Sequence, residues 1–205
     1  MVAHPAPNRV SPFGDIVAVT RRGAWMGNRG RVHDLGEDGE PRIVRFHAGT
    51  LWIVCTLDFR GRRVEQWGRT HYTVLFFLDE AVALAAGHRP CAECRRPAYR
   101  SYLAAAGLTG VGAPELNRRL HAERLHAGTH QRRLHLRPWT DLPVGAFAVV
   151  DGRAMLVLAD TLRAWTPAGY GPRVARPRSG GATVLTPPTS LAALAGGYGL
   201  QIAPG

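Results

Sequence analysis

The run Tyr72–Cys94, YTVLFFLDEAVALAAGHRPCAEC, constrains the fold of this chain more than any other segment. Tyr72–Leu78 is β-branched and aromatic and reads as a strand. Asp79 then offers an oxygen to the free N–H groups of a first helical turn, and Glu80 suits the positive helix start. Ala81–Ala86 are good helix formers and Gly87 is a typical stop. The chain turns through Arg89 and Pro90 into Cys91-Ala92-Glu93-Cys94, ahead of a second helix expected from about Arg96 to Ala105 with Pro97 in its first turn. This strand–helix–turn succession places the two thiols directly after the helix.

A Cys-x-x-Cys at the entry to a helix brings two sulfurs near enough to share one zinc ion. The helix N-terminus and neighbouring arginines lower the thiol pKa values, which favours metal binding. The same spacing serves a thioredoxin-like redox pair or two inert buried thiols. The chain has three cysteines, too few for a disulfide framework. The third, Cys55, ends the β-like run LWIVC and reads either as a ligand or as a small apolar core residue.

Elsewhere the pattern is of short strands. The segment 8–19 leads into one, Arg22–His33 reads as turns or a hairpin, and Ile43–His47, Leu51–Leu57 and Val64–Trp67 follow as β-like runs. A third helix is expected from Pro114-Glu115 to about Leu125. Beyond it, Ala146–Val150, Ala154–Leu158, Leu162–Trp165 and Ala182–Leu185 read as strands, Asp151-Gly152 as a hairpin turn, Pro167–Gly181 as a long loop, and Ser190–Ala195 as a last helix. The expected class is α+β: a zinc module over 15–110, a basic helical segment over 111–140 and a small β-rich part over 141–205.

The formal charge is +11, from 26 basic residues, all Arg, against 15 acidic ones. Coding bias explains the choice of Arg over Lys but not the excess, and so basic a chain expects a polyanionic partner. Leu116–Arg137 sets Arg118, Arg119, Arg124, Arg132, Arg133 and Arg137 against Glu123 alone, with four histidines interleaved. Guanidinium groups pair bidentately with phosphates. No apolar run approaches the ~18 residues that span a bilayer, and Met1–Val10 has no targeting pattern. The expected location is the cytoplasm and the expected state a monomer.

The Tyr72–Cys94 run resembles the zinc-binding N-terminal domain of the Ada family of DNA-repair proteins. There an aromatic strand leads into an E-A-x-A-A-G helix and then R-P-C-x-x-C. The matching residues are Phe76, Phe77, Glu80, Ala81, Ala85, Ala86, Gly87, Arg89, Pro90, Cys91 and Cys94. The resemblance covers roughly 25 of the 205 residues. It implies a zinc site to which Cys91 and Cys94 contribute the second ligand pair, and damaged DNA as the substrate class. The family's first cysteine pair has no counterpart, so the carried-over site is either Cys₃His or degenerate. Phosphotriester methyl transfer therefore does not carry over with it.

The expected ligands are thus Cys91, Cys94, Cys55 and His33, with His71 the alternative fourth. The expected nucleic-acid contacts are Arg95, Arg96, Arg118, Arg119, Arg132, Arg133 and Arg173, with Trp165 and Tyr170 to stack a base. His121, Asp151 and Asp160 are the candidate acid–base residues. The leading expectation is a zinc-containing protein that acts on damaged or modified DNA, a hydrolase such as a DNA glycosylase. The alternatives are a non-catalytic zinc module binding DNA or RNA, and a cysteine-based alkyl transferase. A pocket formed by Trp165, Tyr170 and a carboxylate would favour the enzyme, and a convex surface there the binder.

Overall fold

The computed structural model describes residues 5–62 and 64–203. The first four residues of the Met1–Val10 segment lie outside it. Strands β1 (Pro7–Val10), β2 (Ile16–Ala18), β3 (Trp25–Asn28), β4 (His33–Leu35), β5 (Pro41–Ile43), β6 (Ile53–Cys55) and β7 (Leu75–Phe77) precede helix α1 (Glu80–Ala85). Then follow β8 (Arg89–Pro90), α2 (Arg96–Ala105), α3 (Ala113–Arg124), β9 (His135–Pro138), β10 (Phe147–Val150), β11 (Arg153–Val157), β12 (Thr161–Thr166), β13 (Gly169–Ala175), β14 (Gly181–Val184) and α4 (Pro188–Ala195). One sheet runs β2-β1-β7-β3-β6-β8, a second runs β13-β12-β11-β10-β14-β9, and β4 pairs with β5 apart from both. The class is α+β, and no helix of the described residues is long and apolar enough to cross a membrane.

The second sheet is apolar on both faces, and the period-2 alternation of its strands explains how. Ala148, Met155 and Val157 point into a core shared with Tyr102, Leu103, Leu116, Leu120 and Leu191 of α2, α3 and α4. Phe147, Ala154 and Leu156, one step out of phase, point into a second core with Leu75, Phe77 and the alanines of α1. Helix α1 is therefore buried all round, as a helix apolar on every side should be.

Asp79 caps α1 as expected, its Oδ1 accepting from the Val82 N–H at 2.9 Å. Glu80 is fully buried. It accepts from Tyr198 Oη at 2.6 Å and pairs with Arg95 at 2.6 Å, which locks the C-terminal segment over the start of the helix. Several strands differ from expectation, and of the expected run Ile43–His47 only Ile43 lies in one. Residues 169–175, read as loop, form β13. Residues 135–138, placed in the basic helical segment, form β9. Each is an edge of the second sheet, where an interrupting proline is tolerated because its missing N–H faces no neighbour. No strand forms over Val64–Trp67.

Candidate metal centre

Parallel pairing of β6 with β8 gathers the cysteines. Ile53 lies opposite Arg89 and Val54 opposite Pro90. One further step along that register sets Cys55 beside Cys91, whose N–H donates to the Val54 carbonyl at 3.0 Å. Cys94 comes back to the same point because the turn is tight: the Arg95 N–H donates to the Cys91 carbonyl at 3.2 Å. The three sulfurs lie within 4.8 Å of one another and none is in a disulfide. A tetrahedral zinc with ~2.3 Å bonds needs ligand sulfurs about 3.8 Å apart, so the trio fits such an ion with little movement.

The three thiols differ in how readily each ionises. A hydrogen bond from Cys55 draws the Cys91 thiol down to about 5, against the opposing effect of burial, and the backbone N–H groups of Cys94 and Glu93 assist. Cys55, which donates that bond and is buried, is pushed strongly up. Burial and the Cys91 charge raise Cys94. Without metal, the first proton leaves Cys91 and the other two thiols hold theirs. A divalent cation reverses that preference, because a coordinating thiol is deprotonated outright. Metal uptake therefore releases protons and weakens in acid.

A cavity of about 180 Å³ opens over the trio, with Phe59, Tyr72 and Glu93 in its walls. Burial and then the neighbouring thiols push the Tyr72 hydroxyl up, so it stays neutral. Glu93 is paired with Arg62 at 2.8 Å on the exposed rim. The protein thus brings three sulfur donors together, and the cavity is the open side. His33 is not a member of the cluster. It is buried on β4, its Nδ1 2.7 Å from Thr73 Oγ1 and its ring edge-on to Trp67. His71 is exposed beside Thr70.

The arginines divide. Arg96, Arg118, Arg119 and Arg173 are exposed, with Arg119 3.4 Å from Glu123. Arg95 is instead an inside residue, paired with Glu80 and stacked 4.2 Å over Trp25. Arg132 reaches inward too, donating to the carbonyls of Ala85, Ala86 and Leu185, and Arg133 is half-buried. Sequence reasoning missed the reason. Leu116, Leu120 and Arg124 fall on one helical stripe at intervals of four, so Arg124 is buried with the leucines. It donates to the Gly87 and Thr50 carbonyls, both at 2.8 Å, and stacks 3.8 Å over Trp52.

Trp165 and Tyr170 face each other across β12 and β13 and pack into the second core. The Tyr170 hydroxyl is spent on Asp79 Oδ2 at 2.8 Å, and that carboxylate also caps α1. Asp151 and Asp160 are exposed in the turns beyond opposite ends of the five-residue strand β11. His121 lies on α3, its Nδ1 3.1 Å from Arg124, and burial and that charge lower its pKa. These three do not converge on one point. Compared with protein-family models, with curated proteins and with solved structures, the chain matches none of them.

Proposed function

We propose that this chain is a zinc protein that binds nucleic acid, with DNA as its main partner and RNA as the alternative. The observation that carries the metal half is the approach of three sulfurs to within 4.8 Å. Cys55, Cys91 and Cys94 would hold the ion as thiolates. Zinc there cross-links β6 to the turn before α2 and supplies Lewis acidity on the cavity side. The binding half rests on the net charge of +11 and on exposed arginines such as Arg96 and Arg173, which form no ion pair among the described residues.

Between binder and base-removing enzyme, the geometry favours the binder. A flipped base stacks on open aromatic or apolar faces, and its hydrolytic removal needs a group placed to activate water. Tyr170 is packed and hydrogen-bonded, and its carboxylate neighbour is a helix cap. The resemblance to the Ada family keeps modified DNA as the proposed context. One observation favours a second reading, alkyl transfer to sulfur: Cys94 is only half-buried and lines the cavity, and a zinc-bound thiolate remains a nucleophile.

Fluorescence anisotropy with a labelled duplex tests the binding reading. Affinity should fall steeply with salt, and the Arg96→Ala/Arg173→Ala double variant should flatten that slope by up to about two phosphate contacts. Binding absent at low salt would refute it. Mass spectrometry of the protein after exposure to methylated DNA tests the second reading, which requires a methyl adduct on a cysteine.

A further inference from the structure

Beyond the exposed arginines, α3 ends in a recess that has a different chemistry. Leu125 bridges to Arg132, and the loop between them closes on itself through His126 N–H to the Gln131 carbonyl at 3.0 Å. Together with Thr50 and the last turns of α3, this loop rings a cavity of about 330 Å³. Ala122, Leu125 and Ala127 give it an apolar floor. Arg118, His121, His126 and Arg133 surround that floor, and no carboxylate lines it.

A helix C-terminus would ordinarily repel an anion. Here three of its last four carbonyls already have partners. Those of His121 and Arg124 accept from the N–H groups of Leu125 and Arg133, and that of Glu123 lies 2.8 Å from the His135 ring. Positive charge then dominates. Arg118 is exposed with no ion pair among the described residues. Arg133 is half-buried and likewise forms no ion pair among the described residues. Arg124 stands directly behind, in contact with both His121 and Thr50.

We propose that this recess binds a nucleoside phosphomonoester, the phosphate-bearing end of a nucleic-acid strand. Its phosphate sits between Arg118 and Arg133, and its base lies on the apolar floor beside the imidazoles of His121 and His126, since histidine rings stack on bases. Because the loop between Leu125 and Arg132 folds back against the end of α3, the recess suits a strand end better than a backbone passing through. The strand-end assignment rests on the nucleic-acid reading above. The phosphomonoester chemistry does not, because a free nucleotide offers the same groups.

The test uses the full zinc-loaded chain and labelled single-stranded oligonucleotides identical except for a 5′-phosphate, a 3′-phosphate or neither. Thymidine 5′-monophosphate serves as competitor. One terminal phosphate should tighten binding about tenfold, the worth of one added charge-assisted hydrogen bond. Arg118→Ala and Arg133→Ala should each erase that gap, whatever they do to the unphosphorylated strand. Arg118 is exposed, so its variant should fold even if the Arg133 variant does not. Equal affinity for all three strands in the wild type would overturn the recess and leave nucleic-acid binding standing. Direct binding of thymidine 5′-monophosphate by isothermal titration calorimetry, lost in Arg118→Ala, with no oligonucleotide bound would sustain the phosphomonoester site and refute the strand end. Binding of neither would overturn both.

Discussion

The two ends of α1 carry opposite charges and are finished to different degrees. At the N-terminal end Asp79 and Glu80 are buried, and their carboxylates complement the positive helix start. Asp79 accepts from Val82, Tyr170 and Ala203, and Glu80 from Tyr198 and Gln201 beside its ion pair with Arg95. At the C-terminal end three arginines gather instead. Arg124 and Arg132 take the carbonyls of Ala85, Ala86 and Gly87, as cations at a helix C-terminus should. Arg29 does not complete the pattern. It is fully buried, stacks 4.1 Å over Trp52 and donates only its Nε, to His88; both Nη atoms lack partners among the described residues. The same helix dipole is answered at both ends, but only the acidic end sets a carboxylate against its buried cation: Arg95 Nη1 meets Glu80 as an ion pair, although without a well-aligned hydrogen bond. A buried charge held by several partners stabilises a unique packing, whereas one left beside other cations is a cost the fold tolerates.

Removing a partner at the finished end should do the most harm. Glu80→Ala leaves Arg95 buried and unpaired, and it should lower unfolding free energy by about 3–5 kcal/mol, read as a shifted urea midpoint. A loss under about 1 kcal/mol would mean that the network is not the constraint described here.

Acid should act mainly at the other end. Burial, then Arg29 and Arg124, hold His88 well below the ordinary imidazole value of 6.5. Burial, then His121, His130 and Arg124, draw His47 down to about 4. Both rings are neutral in the native state and take up protons more readily when unfolded. Stability is therefore fully present above about 6.5 and falls as pH drops from there towards 4. Melting temperature should decline through this window, and less so in His88→Gln. A flat profile would contradict the assignment.

The smallest effect is expected at Arg29. Crowded by burial and by Arg132, its guanidinium is drawn down to about 9. Arg29→Met keeps the volume and removes the unpaired charge, so stability should change by less than about 1 kcal/mol or rise. A loss as large as that of Glu80→Ala would erase the contrast between the two ends.

How far the sequence disclosed this follows from what is local. Helices α1, α2 and α3 were legible because Asp79, Gly87, Pro97 and Pro114 mark their ends by side-chain or ring chemistry acting within one turn. Strands β9 and β13 were not, because Pro138, Gly171 and Pro172 look like breakers until the strands are known to be edges. In the site, the Cys91–Cys94 pair was legible from spacing. Cys55 was ambiguous, since its place depends on a parallel pairing that no local pattern encodes. His33 was drawn in by its sequence setting and sits instead on Thr73. The arginine-rich segment reads in sequence as one exposed, phosphate-facing surface. Its burial was partly visible in the four-residue interval from Leu120 to Arg124, but the inward turn of Arg132 depends on where α1 ends.

The central claim is the metal centre, and zinc content measures it most directly. Inductively coupled plasma mass spectrometry of the purified chain should find about one zinc per molecule, as one tetrahedral site requires. Cys55→Ser, Cys91→Ser and Cys94→Ser should each lose most of it, with a lowered melting temperature because metal binding and folding are coupled. A folded wild-type chain without zinc even after incubation with the ion, or full zinc retention in the Cys91 and Cys94 variants, would contradict the account.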